Sequence, residues 1–201
     1  MILSVTSAPA TEPVTTAEAK AHLRIATDFT DDDTKIDAFI AAARAYVETF
    51  TGRSLVTRTY ALRARDFCEL EGSDGVIRLP RPPLASVSSV AYVDTNDASQ
   101  TISSANYHVL AGTDGGTLEP ILTYAWPQTR GLAGDVTITY IAGYGAASSV
   151  PDDFKAAILL LVGELYENRE DAIVGAIVTT APLAADRLLA PYRTPNVLVA
   201  A

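Results

Sequence analysis

The hydrophobic period of this chain changes twice, and the two changes limit the folds open to it. Up to about residue 54, apolar side chains recur at helical spacing. From Leu55 they alternate, and from Val150 the helical spacing returns. A period near 3.6 buries one face of a helix, while a period of 2 buries one face of a strand. Helices at both ends and strands between them make an α+β protein. The expected fold is a small α-helical bundle, with N- and C-terminal helices packed together, carrying a mostly antiparallel β insertion. The expected divisions are an extended N-terminal arm over 1–14, a helical core from 15–54 and 150–193, a β-rich insertion over 55–149 and an extended C-terminal tail over 194–201.

Thr15-Thr16-Ala17-Glu18 has the form of a capping box, with Thr15 as cap and Glu18 reaching back. The helix it opens runs to about Ile25, with Ala19, Leu23 and Ala26 inward. A second helix follows an acidic loop. Its stripe is Ile36, Phe39, Ile40, Ala43, Val47 and Phe50, with Lys35, Asp37, Arg44 and Glu48 largely off it, and Gly52 stops it. In the insertion, strands are expected over 56–63, 76–79, 87–93, 99–102, 107–110, 116–119 and 135–141. The last is the clearest: Val136, Ile138 and Tyr140 face one way, Thr137 and Thr139 the other.

The third helix, Val150 to Asp171, starts at Pro151, which suits a first helical position. Asp152 and Asp153 oppose the positive end of its dipole. Phe154, Ile158, Leu161 and Leu165 form one buried face. Ile158, Leu159, Leu160, Leu161 and Val162 are five consecutive large apolar residues, so they point all round the helix. A helix apolar all round is covered on more than one side, by its own core or by another subunit. Pro182 opens a last short helix carrying Leu183, Leu188 and Leu189. Asn196-Val197-Leu198-Val199 is a short β-prone tail.

No catalytic constellation is found. Phosphate-loop, dinucleotide-binding, zinc-protease and nucleophile-elbow signatures are all missing. The Gly-rich run 112–117 leads into a strand, so it reads as a hairpin loop. Asp31, Asp32 and Asp33 lack the Gly and Glu of a calcium loop and read as helix-start acids. His22 and His108 have no nucleophile signature beside them. Cys68 sits between Asp66 and Glu69, acidic neighbours that argue against a reactive thiolate. Trp126 reads as a packed loop anchor or, alternatively, a partner contact. Glu164 and Glu167 read as a solvated or intersubunit face. No catalytic residue, cofactor or metal is therefore expected.

The net charge is −9, with 15 basic and 24 acidic side chains, and each third of the chain carries −3. No basic patch is available to grip nucleic acid by neutralising phosphates. One cysteine allows no intrachain disulfide and suits a reducing compartment. The N-terminus lacks the basic region of a signal peptide, and no apolar run reaches the ~18–20 residues of a membrane span. A cytoplasmic protein is expected.

Several segments together resemble a known family. They are Thr15 to Ile25 with its acidic loop, Tyr46-Val47-Glu48-Thr49-Phe50-Thr51-Gly52-Arg53, Ile77 to Leu84, Val87 to Asp94, Tyr140 to Gly145, Val150-Pro151 and Leu165 to Glu170. In order and spacing they are similar to phage head–tail connector (adaptor) proteins, in the longer subfamily with a β insertion. The resemblance spans roughly residues 14 to 193. It implies a structural, non-enzymatic subunit of a dodecameric ring beneath the portal, through which DNA passes without sequence-specific binding. It implies a portal protein and a tail-side connector, stopper or terminator as partners, and a place first in the cytoplasm and then at the head–tail junction of a phage or gene-transfer particle. Within that reading, Leu159, Leu160, Val162, Glu164, Glu167 and Arg169 are the candidate subunit interface. Asn196, Val197, Leu198 and Val199 are the candidate portal-binding tail, able to add a strand to a portal edge. Two readings from other classes stay open: a monomeric β-rich binding module and a small hydrolase.

Overall fold

The computed structural model describes residues 1–7, 9, 11–168 and 183–194. In chain order the described elements are β1 (Ile2–Val5), α1 (Thr16–Leu23), α2 (Asp33–Thr51), β2 (Arg58–Ala64), β3 (Ile77–Leu79), β4 (Leu84–Val93), β5 (Ser99–Thr101), β6 (Tyr107–Ala111), β7 (Gly116–Pro120), β8 (Val136–Ala142), α3 (Asp152–Glu167) and α4 (Leu183–Leu189). They fall into two compact units. A β unit takes in Met1–Ala10 and Gly52–Gly145, and a helical unit takes in Thr11–Thr51 and Ala146–Thr194. The class is α+β, as the two changes of period require.

In the β unit, β8 is the central strand of a five-stranded sheet of order β1-β2-β8-β4-β5. Its alternation is complete: Val136, Ile138, Tyr140 and Ala142 are buried, and the residues between them are half-exposed. Register sets Tyr60 opposite Tyr140 and Leu62 opposite Ile138, so the inward residues of neighbouring strands stack in rows. A second sheet, of order β3-β7-β6, shares the same core through Ile77, Leu79, Leu118 and Tyr107. Every strand pair in both sheets is antiparallel. Two glycines let the backbone pack closely. A Cβ on Gly116 would meet Leu84 at 2.3 Å. Gly143 has φ +124°, and its Cβ would meet the Val56 carbonyl oxygen at 2.4 Å, so only glycine fits there.

The N-terminal segment is not a free arm. Ile2–Val5 forms the edge strand β1, pairing with β2 from Ile2↔Arg63 to Val5↔Tyr60. Partners some sixty residues away supply these bonds, which explains why a local pattern of only four residues does not show them.

The helical unit follows its stripes, with informative exceptions. Thr15 and Glu18 form the full capping box. The backbone N–H of Thr15, and then its hydroxyl, hold the Glu18 carboxyl below its usual range. On α1, Ala19 is buried, whereas Ala26 is exposed because the helix has already ended at Leu23 with Arg24 in the left-handed region. Lys20 is buried; its ammonium donates to Asp33 at 2.8 Å and to the Thr27 carbonyl at 3.1 Å. On α2, Ile36, Ile40, Ala43 and Val47 are buried, and Phe39 and Phe50 are half-buried. Glu48, placed off the stripe by pattern, is buried instead. Arg44 pairs with it at 2.8 Å and with Glu12 at 2.6 Å, so the carboxylate enters the interior with its counter-charge. On α3, Pro151 is the N-cap rather than the first helical residue, and the helix ends at Glu167. On α4, Ala185 and Leu189 are buried and Leu188 is exposed.

Candidate assembly surface

The apolar run on α3 is absorbed mostly by its own unit. Ile158, Leu161 and Val162 are buried and Leu159 is half-buried, leaving Leu160 at 38% exposure. Val162 is 0% exposed and so has no surface to offer a neighbour, contrary to its place among the expected interface residues. Leu165, expected on the buried face, is 36% exposed one turn from the helix end. The outward side of α3 carries Leu160, Glu164 and Glu167 at i, i+4 and i+7, which places them on one stripe. Glu167 is exposed and Glu164 half-exposed. Arg169 lies outside the described residues, as do the small-residue stretch 172–180 and the tail residues Asn196, Val197, Leu198 and Val199.

The segment leading to that tail is held by contacts that no sequence pattern signals. Tyr192 packs its ring on Phe154 at 4.6 Å and donates its hydroxyl to Asp153. The Arg193 guanidinium lies over the Phe50 ring at 5.0 Å. Thr194 donates its backbone N–H (2.9 Å) and its hydroxyl (3.0 Å) to the Thr51 carbonyl at the end of α2. Tyr46 stacks on Phe50 and donates to Asp186 of α4 at 3.0 Å. Burial, and then that bond, raise the Tyr46 phenol above its usual value. On the other flank, Tyr166 donates to Asp32 at 2.8 Å.

In the β unit the Gly-rich 112–117 run is the β6–β7 hairpin loop, and Arg53 pins it. This guanidinium is 4% exposed and donates to the Thr113 carbonyl, to Asp114 and to the Tyr144 hydroxyl. The sequence carried half of this signal, an Arg directly after a helix-stop Gly, but not its partners sixty residues on. Trp126 stacks on Phe67 at 4.8 Å and 6°, which makes it a packed loop anchor. The other tight loop is closed by Arg130, which donates to Asp135 at 2.7 Å and pairs with Asp97. Arg130 holds the Asp135 carboxyl below its usual range.

Among the described residues no group of three or more His, Cys, Asp or Glu is arranged to hold a metal. No described helix is long and apolar enough to cross a membrane.

These side chains spend their charge and hydrogen bonds on holding loops, a helix cap and the segment before the tail in place. A family model for head completion proteins matches residues 14–175, and the chain belongs to that family. Among solved structures it is similar to a chain from the neck of an empty gene transfer agent particle, computed with C6 symmetry. The two are 27% identical with a TM-score of 0.79, over 99% of this chain and 98% of that one. A chain of the native gene transfer agent virion is 25% identical with the same TM-score and the same coverage. A chain from the neck of the native particle, computed with C12 symmetry, is 25% identical with a TM-score of 0.73. No curated protein sequence matches the chain.

Proposed function

We propose that this protein is a head–tail connector subunit. Copies of it form a ring beneath the portal, join head to tail and line part of the conduit through which DNA passes. The observation that carries this reading is likeness along nearly the whole chain to proteins in the neck of a gene transfer agent particle, including necks computed with cyclic symmetry. Family membership supports the structural role. The net charge of −9 suits a conduit wall that lets phosphates pass without gripping them. In this reading the chain has no catalytic role. It assembles in the cytoplasm and ends at the head–tail junction, with a portal above and a tail-side stopper or terminator below. The neighbour-facing surface of α3 is Leu160, Glu164 and Glu167, with Leu159 at its margin and Arg169 beyond its end.

The tail Asn196-Val197-Leu198-Val199 is the portal-binding element. Its starting point is held by the Thr194–Thr51 bonds, so the entropy of searching for an edge is reduced. Co-sedimentation with the portal tests this. Removal of 195–201 is expected to abolish co-sedimentation without changing the melting temperature; undiminished binding would reject the role of the tail.

A further inference from the structure

The even spread of charge along the sequence conceals an uneven spread in the fold. The β unit has seven arginines, no lysine and nine acidic residues, whereas the helical unit has eight basic and fifteen acidic residues. The net charge of −9 thus divides into −2 and −7. In the β unit, Arg53, Arg78 and Arg130 are engaged in ion pairs with Asp114, Asp74, Asp97 and Asp135, and Arg58 and Arg81 also have partners. Arg63 and Arg65 differ. Both are exposed, and neither guanidinium has a hydrogen bond or ion pair with a described residue.

Arg63 lies on β2 and Arg65 just past its end, and together they line a groove of about 580 Å³ with Ile2, Glu69 and Thr137. Register fixes the setting, with Arg63 between Ile2 of β1 and Thr137 of β8. Glu69 does not neutralise the site by a direct bond. Its carboxylate accepts the Arg65 backbone N–H at 2.7 Å and pairs with the Met1 ammonium. Beside the two cations Ile2 is 65% exposed. The groove therefore presents exposed Ile2 and two guanidiniums, of which Arg65 also attracts the Glu69 carboxylate at its edge.

We propose that this groove receives the Leu160–Glu164–Glu167 stripe of α3 from a second copy of the chain. The proposal rests on the ring reading and supplies its counter-surface. The chemistry matches: two carboxylates for two guanidiniums, and half-exposed Leu160 for Ile2. The two surfaces belong to different units of the chain, and in a ring this contact repeats head to tail from copy to copy until the rotation closes. Duplex DNA is the weaker occupant, because two guanidiniums neutralise too few phosphates to hold it at physiological salt.

The test is charge reversal in full-length protein assembled on its portal and imaged by negative stain. Arg63→Glu/Arg65→Glu and Glu164→Arg/Glu167→Arg are each expected to cut ring yield roughly tenfold. Melting temperatures should not change, since none of the four side chains is buried. Combining the two reversals in one chain is expected to restore rings. Rings unaffected by either reversal, or not restored by the combination, would overturn the contact while leaving the connector reading intact. Absence of rings from the unaltered protein would defeat both. Binding of a 30-base-pair duplex that depends on Arg63 and Arg65, with rings indifferent to them, would reassign the groove to nucleic acid.

Discussion

At Arg53 one side chain closes the β6–β7 loop from below. Its charge is buried while that of Asp114 is 84% exposed, so loss of the guanidinium strands no buried anion. Arg53→Ala is expected to cost about 2 kcal/mol by urea unfolding, in line with lost hydrogen bonds to a charged group, and to raise hydrogen exchange in 112–117. Tyr140 shows the neutral counterpart. Its buried hydroxyl donates to the Pro80 carbonyl at 2.8 Å, and burial pushes its phenol far above the usual value. Tyr140→Phe leaves that carbonyl unsatisfied, with an expected loss of about 1–2 kcal/mol in the same measurement. Asp135 gives the pH dependence. Arg130 depresses its folded pKa, so its contribution is present above the ordinary carboxylate value of ~4 and lost as pH falls through the lower folded value. The stability gap between the protein and Asp135→Asn should therefore be constant near neutrality and shrink below about pH 4.

Among the elements, α3 separates what a pattern can say from what it cannot. Five consecutive apolar residues require more than one covered side, but they do not say how many sides the chain itself covers. That depends on α1, α2 and α4 all packing near one helix, a tertiary fact. Within the unit Val162 is covered and Leu160 is not, although they are two residues apart. Leu160→Asp is expected to leave the thermal unfolding free energy within about 0.5 kcal/mol, and Val162→Asp to cost several kcal/mol and unfold much of the protein. Equal effects at the two positions would contradict the burial described. Elsewhere the local signals were sufficient. The capping box at Thr15 and Glu18, the α2 stripe through Ile36, Ile40, Ala43 and Val47, and the alternation of β8 are each set by near neighbours. The partners of Lys20, Glu48 and Arg53 were not legible, because a charged residue is buried only where a distant counter-charge meets it. β1 escaped for the same reason: its edge is made by β2.

For the whole molecule, family membership and likeness to neck proteins agree with the structural role that the connector resemblance implied. The division of charge into −2 and −7 adds something no linear count reveals: each copy carries an arginine-bearing surface and an acidic one on separate units. Copies arranged head to tail can then satisfy each other's charges while keeping a net negative ring. High salt should weaken such an assembly, because pairs at an exposed rim are screened over ~8–10 Å. Ring formation on a portal is tested by negative-stain imaging of the purified protein mixed with its portal. Class averages are expected to show a cyclic ring of extra density attached to the portal; portal particles without added density, at saturating protein, would rule the connector role out.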